Sequence, residues 1–103
     1  MIARHWRGWT RPESADDYEN FLKQHVLPGL KQIEGYRGGY ILRSDEAGES
    51  QFVVINLFES LDAVRLFAGE DYSTAVFEPE AKIYLSRVET FATHYEVRAC
   101  TVE

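Results

Sequence analysis

The chain has 103 residues, enough for one small domain, and 45% of them are hydrophobic and 14% aromatic, so it can bury a core. The net charge of −6, from 11 basic and 17 acidic residues, speaks against nucleic acid and against an anionic membrane surface as partners. A domain this small buries a modest fraction of its surface, so self-association is expected.

The single cysteine, Cys100, excludes an internal disulfide and does not by itself make a metal site. It reads as an inert thiol in a reducing compartment, and a cytoplasmic location is expected. The first residues, MIARHWRG, lack a charged region followed by an apolar run and so do not read as a signal peptide. No segment approaches the ~18 uninterrupted apolar residues of a membrane span.

Ile2 to Thr10 reads as a strand with Trp6, Trp9 and Thr10 in it, and both of its faces mix polar with apolar residues. Pro12 ends it. Ser14 is placed to cap a helix, with Asp17 as the acid of a capping box. Ala15, Tyr18, Phe21, Leu22 and Val26 follow at helical spacing, and Pro28 with Gly29 is expected to break that helix. Tyr36 to Ser44 reads as a second strand, where Gly38 and Gly39 suggest a bulge or a close approach by another group. SDEAGES, at 44–50, is a hairpin turn.

Gln51 to Glu59 is the most strand-like run. Val53, Ile55 and Leu57 form a uniformly apolar face, expected to pack against the helices. Phe52, Val54, Asn56 and Phe58 form the other face, expected to meet a second subunit. Ser60 should cap a helix over Leu61 to Ala68, closed by Gly69. Glu70, Asp71 and Tyr72 form a turn, Ser73 to Phe77 a further helical turn, and Pro79 starts a short helix to about Leu85. Arg87 to Val97 reads as one last strand. Residues 1–98 thus form a single domain and 99–103 a tail.

The order β-α-β-β-α-β defines an α+β, ferredoxin-like unit with an antiparallel sheet covered by helices on one face. An apolar second face marks an interface or a ligand groove. Two such sheets facing each other would bury it, so a homodimer is expected.

Candidate site residues follow from polar groups in apolar places. Asn56 interrupts an apolar strand face, and a buried amide either binds a ligand or bonds its neighbours. Arg4 and Trp6 share a face: the arginine is suited to an anionic oxygen and the tryptophan to stacking on an aromatic ligand, while an ion pair and a packed indole are the plainer reading. His94 is the candidate general base, with a strand histidine bonded at a dimer seam as the plainer reading. His25 reads as exposed. Glu70 and Asp71 lack the further converging ligands a metal needs and read as helix-starting acids.

IARHWRG at 2–8, NLFESLDAVRLFAGEDYSTAV at 56–76 and THYEV at 93–97, with the element order, resemble the antibiotic-biosynthesis-monooxygenase-like group of the dimeric α+β barrel superfamily. The resemblance implies a homodimer with facing sheets and a pocket between sheet and helices. Members of the group oxygenate polycyclic aromatic substrates without metal or flavin, degrade heme, isomerise, or have no known activity. Many carry tryptophan where this chain has Phe58. The heme-degrading branch uses an asparagine on the first strand and a histidine on a helix beyond the third. Here Trp6 stands near the first place and no histidine lies between His25 and His94, so heme degradation is not expected.

Two functions follow from the resemblance and these residues. One is a cofactor-independent monooxygenase-like enzyme acting on a small aromatic or enolic compound. It would use no cofactor and no metal, with His94 as base, Arg4 and Asn56 at the developing oxyanion, and Trp6, Phe52 and Phe58 as an apolar wall. The other is a non-catalytic homodimeric module of the same fold that holds a small hydrophobic or aromatic molecule, or none.

Overall fold

The structure is a computed structural model that describes residues 1–76 and 79–101. Strand β1, Ile2–Thr10, runs the length of the sheet. A 3₁₀ turn at Pro12–Ser14 leads into α1, Ala15–Phe21, which continues as a π-turn over Leu22–Val26 and then as α2, Leu27–Leu30. Strands β2, Tyr36–Glu46, and β3, Glu49–Phe58, form a hairpin. Helix α3, Leu61–Ala68, α4, Ala81–Tyr84, and strands β4, Leu85–Val88, and β5, Thr93–Glu96, complete the chain.

All strand pairs are antiparallel. The order is β2-β3-β1, with β4 and β5 both pairing with the free edge of β1. This is the ferredoxin-like α+β arrangement expected, with β1 and β3 adjacent. Among the described residues no helix is long and apolar enough to cross a membrane.

Several local expectations hold. Ser60 accepts the Ala63 N–H at 3.2 Å, and Gly69 closes α3 through a 2.8 Å bond to the Arg65 carbonyl. The β2–β3 register shifts between Tyr36 and Gly38, the expected bulge.

Others are corrected. Ser14 makes no side-chain cap, because the 3₁₀ turn places it in helical geometry at φ −100°, ψ −7°. Pro28 does not break the helix. It falls in the first turn of α2, where no N–H is needed, and the Leu27 N–H reaches back to the Leu22 carbonyl across the π-turn. Thr74 pairs with Phe91 in an isolated bridge rather than forming a helical turn. Phe77, the expected end of that turn, and Val102 and Glu103 of the tail lie outside the described residues.

The last strand divides into β4 and β5 because its middle pairs elsewhere. The Ala92 N–H donates to the Ser73 carbonyl at 2.7 Å, and the Ala75 N–H donates to the Thr90 carbonyl at 2.9 Å. The segment leaves the edge of β1 there and returns at Thr93.

The largest correction concerns the faces of β3. Phe52, Val54, Asn56 and Phe58 lie under the helices, and Phe52 and Phe58 are wholly buried within the same chain. Val53, Ile55 and Leu57 point to the open face. Both sets are apolar, so period-two alternation separates them without saying which is inside. Ring packing decides: Phe52 meets Tyr18 edge-on at 4.9 Å, and Phe58 packs on Tyr36 at 5.6 Å and on Phe67 at 5.9 Å.

Each phenylalanine anchors its own core. Ala15, Tyr18, Phe21, Leu22 and Ala81 pack with Phe52, whereas Ala63 and Val64 pack with Phe58. The two positions are six residues apart on β3, about 20 Å along the strand. Between them the helical layer does not close on the sheet.

Candidate functional site

The gap between the two cores is a cavity of about 330 Å³. This lies near the lower end of the size range of small-molecule sites. Its floor is the middle of the sheet, from Arg4, Trp6, Val54 and Asn56. Its roof is the α1–α2 segment, and Phe67 and Ala81 close its sides. His25 and Val76 are exposed yet line it, so they mark the mouth.

One polar row crosses this floor. Gly39 on β2 pairs with Asn56 on β3, Asn56 with Arg4 on β1, and Arg4 with His94 on β5. Asn56 Oδ1 accepts the Tyr36 hydroxyl at 3.1 Å. A Cβ on residue 39 would stand 2.6 Å from that amide oxygen and 2.4 Å from the Ile55 carbonyl, so the row needs glycine there. The Asn56 amide NH₂ has no partner among the described residues.

Arg4 is 4% exposed. Its Nη1 donates to the Tyr72 carbonyl and, at 3.0 Å, to His94 Nε2, and its Nη2 donates to the Thr74 carbonyl at 3.0 Å. The guanidinium also lies over the Phe67 ring, 5.4 Å from its centroid. Burial lowers its pKa to about 10, so it stays cationic at neutral pH.

A guanidinium has no acceptor, so His94 Nε2 receives this bond and the imidazole proton resides on Nδ1. Burial, and then the charge of Arg4, hold the His94 pKa below its ordinary value. His94 packs edge-on against the Tyr72 ring at 5.1 Å. It therefore stands behind Arg4 and is not in the cavity wall.

Trp6 donates from Nε1 to the Glu89 carbonyl at 2.7 Å, which fixes its indole against the floor. Gly8 makes room for it: a Cβ there would lie 2.5 Å from the indole Cη2. Tyr18 lines the roof, and its burial raises the phenol pKa.

The structure thus brings Arg4, Trp6 and Asn56 to the cavity, with Phe52 and Phe58 beneath its two ends as core residues. Sequence reasoning missed two features. His25 stands at the mouth because the π-turn carries it there, and π-turns recur at functional sites. The Glu70-Asp71-Tyr72 turn serves the site through backbone atoms, since the Tyr72 and Thr74 carbonyls hold Arg4. Asp71 Oδ2 steadies the turn by accepting the Thr74 hydroxyl at 2.8 Å. Among the described residues no group of three or more His, Cys, Asp or Glu side chains converges as a metal site would.

Comparison with known proteins places this arrangement. Residues 1–79 match the family model "Antibiotic biosynthesis monooxygenase", and the chain belongs to that family. Solved structures share its fold. A Bacillus cereus protein named for the same family superposes with a TM-score of 0.69 at 13% identity, over 100% of this chain and 96% of the other. The Streptomyces coelicolor monooxygenase from the gene ActVA-Orf6, in complex with Nanaomycin D, gives 0.67 at 14% identity, over 99% and 91%. The Mycobacterium tuberculosis heme-degrader MhuD, with two hemes bound, gives 0.65 at 16% identity, over 99% and 100%. No curated protein matches the sequence.

Proposed function

We propose that the chain is a cofactor-independent monooxygenase-like enzyme that oxidises a small aromatic or enolic compound in the cavity between sheet and helices. The observation that carries this reading is the pairing of Arg4 and Asn56 on the floor of a largely apolar cavity. An activated methylene beside a carbonyl loses a proton to become an enolate, and a buried cation and an amide donor stabilise its oxygen. The carbanion carbon then bonds to oxygen. Loss of water converts CH₂ and O₂ into C=O and H₂O, with the electrons drawn from the substrate's own C–H bonds.

The proton acceptor must touch substrate. His94 was the expected base, but its Nε2 lone pair is taken by Arg4, and the reading is that it acts as a positioning residue for the guanidinium. The histidine lining the cavity is His25, and proton uptake is assigned to it.

Oxygen uptake by the purified protein with an anthrone, whose methylene is acidified by its carbonyl, tests the reading. Uptake above the uncatalysed rate and incorporation of one ¹⁸O atom from ¹⁸O₂ into the new carbonyl are expected. Binding of the anthrone without turnover would instead support the non-catalytic binding module.

The same reading includes a homodimer, now through the opposite face from that expected. Val53, Ile55 and Leu57 lie on the helix-free side beside Tyr40 and Leu42, each 46% exposed, and Tyr95, 56% exposed. A mainly apolar sheet face of this kind, with His5 and Arg7 of β1 set in it, supports pairing with a second copy.

A further inference from the structure

We infer that the cavity selects a ligand that arrives as an anion: a flat apolar body with one anionic oxygen group, a carboxylate or an ionised enol, seated on Arg4. This rests on reading the cavity as a ligand site and does not require that oxygen chemistry follow.

The distribution of charge carries the inference. Arg7, Arg37, Arg43, Arg65 and Arg87 are each paired with a carboxylate. Arg4, the one arginine among the buried residues, has no carboxylate partner among the described residues. Its neighbours are two backbone carbonyls, a neutral imidazole and a phenyl face. These take three of its hydrogen bonds but leave a full positive charge in an apolar surrounding. A buried cation without a counter-ion is costly, and that cost is relieved when an anion binds.

Lack of acids does not explain this, since the chain carries 17 of them and a net charge of −6. Among the described residues lining the cavity there is no Asp or Glu. No described acid in that lining competes with an incoming anion.

Donors remain for the ligand. Of the five guanidinium N–H groups, three are engaged, which leaves two. The neighbouring Asn56 amide adds its NH₂. A carboxylate or enolate oxygen accepts several such bonds, whereas an ester or ether of the same shape keeps the apolar contacts and loses the charge.

His94 has a defined part in this. A neutral imidazole holds the guanidinium in place without cancelling its charge, which a carboxylate at that position would do.

Calorimetry with two matched pairs tests the inference. 2-Naphthoate is compared with methyl 2-naphthoate, and 2-hydroxy-1,4-naphthoquinone, an ionised enol at neutral pH, with its methyl ether. In the wild type at least one anion is expected to bind about tenfold or more tightly than its neutral mate. The pair that discriminates tells a carboxylate site from an enolate site.

The preference should vanish in Arg4→Met, with the neutral compounds still bound. It should vanish also in His94→Glu, which keeps the arginine but neutralises it, so that a fold lost in one variant is covered by the other. Equal binding of anion and neutral mate in the wild type, a preference that survives both variants, or no binding of either anion at millimolar concentration overturns the inference. Anion-selective binding without oxygen uptake from any bound compound would leave it standing while removing the monooxygenase reading.

Discussion

Arg4 and His94 face each other across the β1–β5 ladder, and the guanidinium Nη1 donates to the imidazole Nε2 at 3.0 Å. This cross-strand pair ties a short edge strand to the centre of the sheet. It also keeps a histidine neutral beside a cation, because protonation would remove the acceptor and set two positive charges side by side.

A dependence of stability on pH follows. The folded-state pKa of His94 is depressed, first by burial and then by Arg4, so between that value and the ordinary one, near 6.5, the unfolded chain binds more protons than the folded one. Stability from this group is fully present above pH ~6.5 and is lost as pH falls toward the folded pKa. The groups facing the imidazole are Arg4 and Tyr72. Thermal unfolding between pH 5 and 8 should show that slope, and His94→Gln should flatten it. By NMR the His94 ring should titrate below the ordinary range, and Arg4→Met should raise it only partway, since burial remains. An unshifted titration in the wild type would refute the bond.

Gly39 supports the same row from its other end. An added Cβ there meets the Ile55 carbonyl at 2.4 Å, and a backbone atom cannot swing aside as a side-chain tip can. Gly39→Ala should therefore cost about 1–3 kcal/mol by denaturant unfolding and weaken ligand binding through displacement of Asn56. Gly29→Ala is the control for the stability loss, because a Cβ there meets nothing within 4 Å. Equal losses in the two would remove the close approach at Gly39 as the cause.

The contrast between Gly39 and Arg4 shows what the sequence could reveal. A glycine pair inside a strand signals a bulge or a close approach, and both occur at Gly38 and Gly39. Ser60 and Gly69 likewise bound α3 as their local chemistry dictates. Arg4 and Asn56 stood out as polar groups among apolar neighbours. The partners of Arg4 were not legible, because two are backbone carbonyls 68 and 70 residues away, and a carbonyl carries no sequence signature. Nor was the inner face of β3 legible. Two apolar faces of equal quality are ranked only by which rings the helices present, and that is a tertiary fact. His25 is exposed, as the sequence suggests, but its place at the cavity mouth was not legible, because nothing in the sequence marks the π-turn in which it sits.

Assigning proton uptake to His25 makes it separable from Arg4. If oxygen uptake with an anthrone is established, His25→Ala should lower kcat by about 10² or more while leaving substrate affinity within severalfold. Added imidazole should restore part of the rate, since the residue stands at an open mouth. Arg4→Met should lower kcat and weaken binding together, because the arginine bonds the carbonyl oxygen of the bound substrate and holds it more strongly as it becomes an enolate. A His25→Ala variant with undiminished kcat would move the base elsewhere.

The open face of the sheet yields the last prediction. Ile55 lies at its centre, between His5 on β1 and Tyr40 on β2, and no helix crosses it. In a two-fold dimer built on this face each substitution enters the interface twice. A carboxylate buried there, beside His5 but otherwise among apolar side chains, costs roughly 3 kcal/mol or more in desolvation, and every 1.4 kcal/mol is a factor of ten in the dissociation constant. Ile55→Asp should therefore convert a dimer into a monomer at micromolar concentration by sedimentation velocity. Leu66→Asp, on the 66%-exposed outer side of α3, should leave the dimer intact. The cavity lies on the opposite side of the sheet, so the Ile55→Asp monomer should keep measurable affinity for 2-naphthoate. A wild-type chain that sediments as a monomer, or an Ile55→Asp chain that stays dimeric, would show that this face is not where two copies meet.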